Sequence, residues 1–297
     1  MCKLTIFTPT YNRSYILKNA YTSLINQTNK NFEWFIVDGV STDNTKELIN
    51  EFVSEKIIDI RFEENRLRSK YSAILNFGVP LAKGEIILFL DSDDYLEDDA
   101  VEQILSAHEK YNNVESIAGY YFKCRYLSGI EIKPLKDEQI VHSLELGQSR
   151  QDKVDTCCQI YKLDKLREFK YPTFGNEYFT PESVIWNTID QKYKIVTFNK
   201  IIYCREYQTD GYTSSGRKKN IENPLSSMYS AKFLIEHSFK FKYKVKGAIL
   251  FACYGFFAKM KFKEIIGQSS KKFLVMILGI PFGLVFYNLW RRKFKIN

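Results

Sequence analysis

The first 115 residues alternate between short apolar runs and amphipathic stretches, and this alternation constrains the fold more than any other feature. Strands are predicted at four apolar runs, residues 3–8, 33–37, 57–62 and 85–90. Apolar residues at helical spacing follow each run, at residues 14–27, 41–52, 69–81 and 97–111. Apolar strands that alternate with helices indicate an α/β fold with a parallel sheet covered on both faces. Because ligands bind outside the carboxyl ends of such strands, the residues after each strand form the candidate site.

The second part of the chain has a less regular pattern. Residues 117–126 and 195–204 are predicted to be strands, residues 181–192 a helix, and the polar segment 217–223 a loop. The six cysteines form no Cys-x-x-Cys pair, so we expect free thiols and no zinc site. Free thiols and the lack of a signal-peptide pattern favour a reducing cytoplasm.

The positive charge of the chain is concentrated near its end. The chain carries 43 Lys and Arg against 35 Asp and Glu, a formal net charge of +8. Residues 240–297 contain thirteen of the basic residues and one acid, so they carry +12 and leave −4 for residues 1–239. This division argues against nucleic acid as a partner of the body. We therefore expect a catalytic domain over residues 1–239, with halves at about 1–115 and 116–239, and a basic tail over residues 240–297.

The tail combines this charge with apolar runs. Residues 273–290 form an uncharged stretch of 18 residues with basic residues on both sides, and residues 247–258 form a second apolar run. Eighteen residues is about the lower limit for a bilayer-spanning helix. Positive charge on both flanks opposes a single crossing. An in-plane or re-entrant anchor drawn to anionic lipids fits better, and a true span and a soluble packing helix are the alternatives.

An acidic motif follows the fourth predicted strand. Asp91-Ser92-Asp93-Asp94 places three carboxylates within four residues. Such charges repel one another unless a cation joins them, and Mg²⁺ and Mn²⁺ prefer oxygen ligands. The alternative is a solvated turn that caps the helix beginning near Glu97. The sequence contains no P-loop and no Gly-x-Gly-x-x-Gly, so a metal would have to hold any phosphate.

Together, the strand ends resemble those of family 2 glycosyltransferases with the GT-A fold. The resemblance is carried, in order and spacing, by Thr8-Pro9-Thr10-Tyr11-Asn12-Arg13, Val37-Asp38-Gly39-Val40-Ser41-Thr42-Asp43-Asn44-Thr45, Asn76-x-Gly78, Ala82-x-Gly84-Glu85 and Asp91-Ser92-Asp93-Asp94. It covers about residues 3–215 and implies a Rossmann-like, mostly parallel sheet with helices on both faces. The activity it implies is inverting transfer of a sugar from a nucleoside-diphosphate sugar, in the first place a UDP-sugar, with Mn²⁺ or Mg²⁺.

The resemblance implies a nucleotide pocket at the first two strand ends. Asp38 would accept a hydrogen bond from the base. The first strand end would line the pocket through Thr8, Pro9, Thr10, Tyr11 and Arg13. Family members often have Asp-Asp-Gly-Ser where residues 38–41 of this chain are Asp-Gly-Val-Ser, so the second acid is missing. The identity of the base is therefore less narrowly implied.

The resemblance also implies where the metal and the diphosphate would bind. Asp91 and Asp93 match the family's Asp-x-Asp motif, so Asp91 would lie near the ribose and both would ligate the metal. Within the same motif, Ser92 would contact the nucleotide sugar and Asp94 is a possible helper. Lys70 would contact the diphosphate.

The segment from Thr180 to Ser183 resembles the part of the family that opens a helix near the acceptor. Glu182 would be the general base that takes the proton of the acceptor hydroxyl, or it would only stabilise the helix dipole. Arg205 would pair with phosphate and precedes a segment that resembles the one closing over the donor in relatives. Trp186 is expected to be a core residue more than a platform for an acceptor sugar.

These assignments predict a glycosyltransferase at the cytoplasmic face of the cell membrane, attached peripherally by its tail. The acceptor would be a lipid-linked glycan or oligosaccharide, and the product a bacterial surface polysaccharide. One alternative is a catalytically degenerate scaffold with the same fold in a membrane complex. The other is a sugar nucleotidyltransferase, which would carry a Gly-rich loop where residues 8–13 contain no glycine.

Overall fold

A computed structural model of the protein shows two compact units. It describes residues 2–65, 71–127, 134–142, 157–181, 183–206, 216–238 and 240–295. The first unit comprises Met1–Tyr171 and Ile185–Thr209, and the second comprises Pro172–Val184 and Asp210–Asn297. The boundary that the charge distribution suggests, after residue 239, falls inside the second unit.

One mixed sheet forms the centre of the first unit. Its described strands are β1 (Leu4–Thr10), β2 (Phe32–Asp38), β3 (Asp59–Glu64), β4 (Ile86–Phe89), β5 (Tyr95–Leu96), β6 (Ile117–Tyr126), β7 (Gln139–Val141), β8 (Cys157–Lys162) and β9 (Lys194–Arg205). Their order is β3-β2-β1-β4-β8-β6-β9-β5, and β7 pairs with β9. The first four strands are parallel to one another, which confirms the prediction from the alternating pattern. The antiparallel strand β8 then links β4 to β6.

Helices cover both faces of this sheet, as predicted. They are α1 (Leu17–Ile25), α2 (Thr45–Glu55), α3 (Tyr71–Leu81), α4 (Ala100–Tyr111), α5 (Leu163–Leu166) and α6 (Ser183–Lys192), of which α6 begins in the second unit. On β1, Ile6 packs in the core layer of α1, α2 and α4, and Phe7 packs in the layer of α3, α5 and α6. Trp186 of α6 is buried and stacks on Tyr161 at a centroid distance of 4.6 Å, which confirms it as a core residue.

Five described helices build the second unit. They are α7 (Gly216–Glu222), α8 (Pro224–His237), α9 (Phe241–Phe257), α10 (Phe262–Gly267) and α11 (Lys272–Lys293), and α11 contains a π-helical turn at Val275–Gly279. The prediction of a loop over residues 217–223 is wrong, because α7 occupies most of that range. Ile221 is buried in the core of this unit, and Arg217 donates to the Tyr254 hydroxyl at 3.0 Å. These tertiary contacts outweigh the polar composition of the segment.

A buried carboxylate connects β1, β2 and β3. Glu33 on β2 is 1% exposed and accepts hydrogen bonds from the Thr5 hydroxyl at 2.7 Å, the Lys83 backbone N–H at 2.7 Å and Arg61 Nε at 3.1 Å. Burial alone would raise the pKa of Glu33, but the hydrogen bonds from Arg61, Thr5 and Lys83 and the charge of Arg61 outweigh it and lower the pKa. The ionised carboxylate therefore stabilises the folded sheet.

We predict that Glu33→Gln destabilises the protein by about 1–3 kcal/mol at pH 7, because three donors lose a charged acceptor. The folded pKa lies below the unfolded value of about 4.3, so the stabilisation is complete above that pH and is lost as the pH falls through the folded pKa. Urea unfolding of both proteins at several pH values should show a difference in unfolding free energy that shrinks in acid.

Glu63→Gln is the matched control, since Glu63 is an exposed acid on the neighbouring strand β3. It should stay within about 0.5 kcal/mol of the unchanged chain at every pH. A constant difference for Glu33→Gln from neutral to acid pH would contradict the assignment of an ionised carboxylate.

Candidate active site

Four strands end at the same edge of the sheet. The strands β1, β2 and β4 are parallel neighbours, and Thr10 pairs with Asp38 at the ends of β1 and β2. Because β8 runs antiparallel to both β4 and β6, and β9 runs parallel to β6, β9 has the direction of β4. The loops after Thr10, Asp38, Phe89 and Arg205 therefore converge at the carboxyl edge of the sheet, where α/β proteins bind their ligands.

The acidic motif after β4 forms a compact cluster at this edge. One carboxylate oxygen each of Asp91, Asp93 and Asp94 lies within 4.8 Å of the others. Asp91 and Asp93 are half-buried, and Asp94 is buried. Such a group of oxygen donors suits a hard divalent cation, because the cation would offset the repulsion among the carboxylates.

Strand β9 holds the buried member of this cluster in place. The Tyr203 hydroxyl donates to Asp94 Oδ2 at 2.9 Å and accepts the backbone N–H of Asp91 at 3.1 Å. The backbone N–H of Glu206 donates to Asp94 Oδ1 at 3.1 Å. Both oxygens of Asp94 are thus used in hydrogen bonds within the protein, and we infer that Asp94 positions the loop while Asp91 and Asp93 are the better candidates for metal ligands.

The pKa shifts in the cluster agree with a positioning role for Asp94. Burial, with the negative charge of Asp93, raises the pKa of Asp94 to about 7, although Arg205 and the Tyr203 hydrogen bond act in the opposite direction. Burial, followed by the charges of Asp94 and Asp91, raises the pKa of Tyr203 far above 10, so its hydroxyl stays protonated as a donor. Arg205, at the end of β9, is close enough to lower the pKa of Asp94 through its positive charge.

The loops after β1 and β2 are joined by hydrogen bonds. The Asp38 carboxylate is buried and accepts the backbone N–H of Ser41 at 2.7 Å as well as its hydroxyl. The backbone N–H of Asn12 donates to Ser41 Oγ at 2.8 Å, and Asn12 Oδ1 accepts the N–H of Thr42 at 2.8 Å. Burial raises the pKa of Asp38, an effect that Glu64 and Asp43 reinforce and the Ser41 bonds oppose.

Val40 adopts a left-handed backbone conformation with a φ of 65°. A β-branched residue is rare in this region, which glycine enters at no steric cost. Val40 occupies the place of the glycine in the Asp-Asp-Gly-Ser pattern, so a β-branched residue takes a left-handed conformation where that pattern has a glycine. The substitution therefore stores strain in the loop next to Asp38.

The structure brings most of the predicted nucleotide residues to the edge, but not all of them face outwards. Thr8 is fully buried, and its hydroxyl accepts the indole N–H of Trp34 at 2.9 Å. Thr10 is 3% exposed, and its hydroxyl is buried with no hydrogen-bond partner among the described residues. Tyr11 is 46% exposed, and an Arg13 guanidinium N–H donates to the Tyr15 hydroxyl at 2.5 Å.

Pro9 on β1 is half-buried, and Ser92 within the acidic motif is buried. Lys70, Glu182 and the segment 207–215 lie outside the described residues, so their assignments stay predictions.

Two contributors to the site were not predicted from the sequence. Tyr203 lies 109 positions from Asp94 in the chain, and nothing local marks it as more than one apolar residue of a strand. The second is Asp43 in the loop after β2, whose carboxylate accepts the Ser14 hydroxyl at 2.8 Å and so ties the two loops together. The Asn12–Ser41 pairing has a sequence signal, because polar residues follow both parallel strands.

Solved structures share this fold. Residues 1–349 of Staphylococcus aureus TarS, solved in complex with UDP-GlcNAc, superpose with a TM-score of 0.62 at 16% identity and cover 98% of this chain and 92% of that chain. The mannosyltransferase PcManGT of Pyrobaculum calidifontis, solved in complex with GDP-Man and Mn²⁺, gives 0.59 at 15% identity and covers 98% and 83%. At these identities the likeness shows the fold, and the predicted α/β GT-A fold is confirmed.

Sequence relatives point the same way. An uncharacterized glycosyltransferase of Haemophilus influenzae is 29% identical over 175 residues, which are 59% of this chain and 68% of that protein. The poly(ribitol-phosphate) beta-N-acetylglucosaminyltransferase TarP of Staphylococcus aureus is 34% identical over 124 residues, 41% of this chain and 37% of that protein. The model of Glycosyl transferase family 2 matches residues 5–163, which is more than half of the chain, and the protein therefore belongs to that family.

Proposed function

We propose that the protein is an inverting glycosyltransferase that moves a sugar from a nucleoside-diphosphate sugar to a glycan acceptor. The observation that carries the proposal is the cluster of Asp91, Asp93 and Asp94 at the carboxyl edge of the sheet, beside the ends of β1, β2 and β9. Acids at this edge can bind a cation and a diphosphate together. The degenerate-scaffold alternative does not account for retention of all three carboxylates.

The donor in this proposal is a UDP-sugar, bound across the ends of β1, β2 and β4. The buried Asp38 carboxylate and the Thr10 hydroxyl, which has no partner in the part of the chain that the structure describes, offer an acceptor and a donor for the base. Arg205, with Lys70 and Arg13, provides cations for the diphosphate. The complex of TarS with UDP-GlcNAc supports this choice of donor, and the GDP-Man complex of PcManGT shows that the fold also accepts another base.

Mn²⁺ or Mg²⁺ would be held by Asp93 and Asp91. When bound, such an ion neutralises the charge that develops on the departing diphosphate. Asp94 would keep the loop in shape through Tyr203 and the Glu206 backbone, as its two hydrogen bonds show. Arg205 would add a fixed positive charge to that of the metal ion beside the diphosphate.

Glu182 would be the general base in the proposed reaction. An oxygen of the acceptor hydroxyl attacks the anomeric carbon, the bond from that carbon to the diphosphate oxygen breaks, and the hydroxyl proton passes to the Glu182 carboxylate. The diphosphate leaves with the bonding electrons, and the configuration at the anomeric carbon inverts.

The acceptor in this proposal is a lipid-linked glycan, and the enzyme acts at the cytoplasmic face of the cell membrane in the synthesis of a surface polysaccharide. Two observations support this setting. The relative TarP is named for transfer to poly(ribitol-phosphate). Residues 240–297 carry +12 together with the apolar helix α11, as expected of a segment drawn to anionic lipid.

We predict that Asp93→Asn lowers Mn²⁺-dependent hydrolysis of UDP-GlcNAc by about 100-fold or more, because a lost metal ligand removes charge stabilisation from the leaving group. In a thermal-shift assay, UDP with Mn²⁺ should raise the melting temperature of the unchanged chain and have little effect on the variant.

Asp98→Asn is the matched control, since Asp98 is an exposed acid in the same segment and outside the cluster. It should keep both hydrolysis and the thermal shift. Full activity of Asp93→Asn, or equal activity of the unchanged chain in the presence of a chelator, would overturn the metal assignment.

We predict that Glu182→Gln lowers kcat for transfer by about 100-fold or more, because a general base contributes roughly 10² to 10⁴ to the rate. The dissociation constant for UDP, measured by calorimetry with Mn²⁺, should be unchanged, because the base does not contact the nucleotide.

Glu51→Gln, at an exposed position on α2, serves as the control and should transfer normally. Near-normal turnover of Glu182→Gln would leave Glu182 with only the helix-dipole role.

A further inference from the structure

Helix α11 packs on α9 along one narrow stripe. A Cβ atom added at Gly279 would lie 2.7 Å from the Ala248 carbonyl oxygen, and one added at Gly283 would lie 2.8 Å from Ala252 Cβ. The two helix backbones are therefore in direct contact, which only small residues permit. Arg217 lies over the Trp290 ring at 4.6 Å and adds a contact near the C-terminal end of α11.

The two helices run in the same direction. Gly279 meets Ala248, Gly283 meets Ala252, and the Tyr287 ring lies 4.7 Å from the Phe257 ring. Each step of about four residues along α11 is thus matched by a similar step along α9. Since the helices are parallel, the chain between them must return along their whole length.

This return segment, residues 258–271, carries four lysines and packs beside the helix pair. A Cβ atom added at Gly255 would lie 2.7 Å from Ile265 Cγ1, near the end of α9. The Ser270 hydroxyl then donates to Glu236 at 2.8 Å, close to where α8 leads into α9. The segment carries several lysines and non-helical backbone, neither of which hydrocarbon tolerates in contact with lipid. In this packing, α9 and α11 cannot stand upright across a bilayer.

The rest of the α11 surface is apolar and exposed. Its large side chains are between 38% and 71% exposed, and they are Phe273, Met276, Ile277, Phe282, Leu284, Val285, Phe286 and Leu289. No charged residue occurs from residue 273 to residue 290. Basic residues stand at both ends, Lys271 and Lys272 before the stretch and Arg291, Arg292 and Lys293 after it. A continuous apolar face of this kind marks an interaction surface.

We propose that α11 is an in-plane membrane helix, whose face opposite α9 inserts into the head-group region of an anionic bilayer. The apolar side chains would enter by about 5–10 Å, as in other interfacial helices, and the basic residues at both ends would contact the lipid phosphates. The proposal deepens the membrane location given above and rests on it for its cellular setting. Vesicle binding itself needs neither donor nor metal.

The first test is sedimentation of the full chain with vesicles. It should bind phosphatidylcholine vesicles that contain phosphatidylglycerol, bind pure phosphatidylcholine weakly, and lose affinity as salt rises. The triple variant F282S/V285S/L289S removes apolar side chains from one exposed face of α11. Its affinity for these vesicles should fall by about tenfold or more, and its melting temperature should be unchanged. The double variant V53S/I57S, at exposed apolar positions of the first unit, should bind normally.

The second test separates an in-plane helix from a span. Trp34 and Trp186 are buried, and Trp290 lies beneath Arg217 and beside Tyr254 of α9, so the reporter of lipid is the variant Phe282→Trp, on the exposed face of α11. Lipids brominated near the head group should quench its fluorescence more than lipids brominated near the chain ends, and alkaline carbonate should release the bound protein. Resistance to carbonate with quenching from the bilayer centre would overturn the proposal in favour of a span.

Two further outcomes would also overturn it. If the chain does not bind anionic vesicles, and light scattering shows that the unchanged chain is a dimer and the triple variant a monomer, the face binds a second copy of the chain. If the chain is a monomer and does not bind anionic vesicles, the exposed face of α11 has no lipid role. Asp93→Asn should lose hydrolysis and still bind vesicles. If the unchanged chain binds vesicles but does not hydrolyse UDP-GlcNAc, the proposed function alone fails. If the unchanged chain hydrolyses UDP-GlcNAc but does not bind vesicles, this proposal alone fails.

Discussion

The hydrogen bond from Tyr203 to Asp94 joins β9 to the loop after β4, two parts of the sheet that must meet for the site to exist. Asp94 follows β4, the last strand of the parallel series, and Tyr203 belongs to β9, which has the direction of β4 although the antiparallel β8 lies between β4 and β6. A buried carboxylate is costly unless its oxygens are paired, and Asp94 has both oxygens paired. The loop is therefore held in one conformation, with Asp91 and Asp93 presented side by side. The rest of the site depends on this anchoring, since the cation Arg205 is two residues from Tyr203.

Local patterns predict the parallel part of this architecture well. The strands β1, β2 and β4 are apolar runs of the right length, and the helices between them have clear spacing, so neither depends on distant contacts. The strands β5 and β7 were not predicted, because two or three residues are too few to show a periodic pattern. The six residues of β8 were not predicted either, because they lie in a part of the sequence with no regular pattern. Helix α7 was missed for a similar reason, since its one buried apolar residue, Ile221, is not a pattern.

The residues of the site also fall into those that local sequence patterns predict and those that depend on distant contacts. The acidic motif at 91–94 is visible in sequence because it is contiguous, and its place after a buried strand follows from the apolar run before it. Tyr203 and the buried orientation of Thr8 depend on strand order, which one sequence does not reveal. The tail shows the same limit: its charge and apolar runs are plain, but the parallel packing of α9 and α11 rests on glycines whose partners lie about 30 positions away.

Val40 also affects the unfolded chain. A glycine at this position would relax the loop, but it would widen the range of conformations open to the chain before folding, which costs about 0.4–1 kcal/mol relative to a residue with a side chain. Valine has the opposite effect on both states: the native loop is strained, and the unfolded chain has fewer conformations. Because the Ser41 N–H bond to Asp38 and the Thr42 N–H bond to Asn12 also hold this loop, it has little freedom to lose when a ligand binds beside Asp38, and binding need not supply the free energy of ordering it.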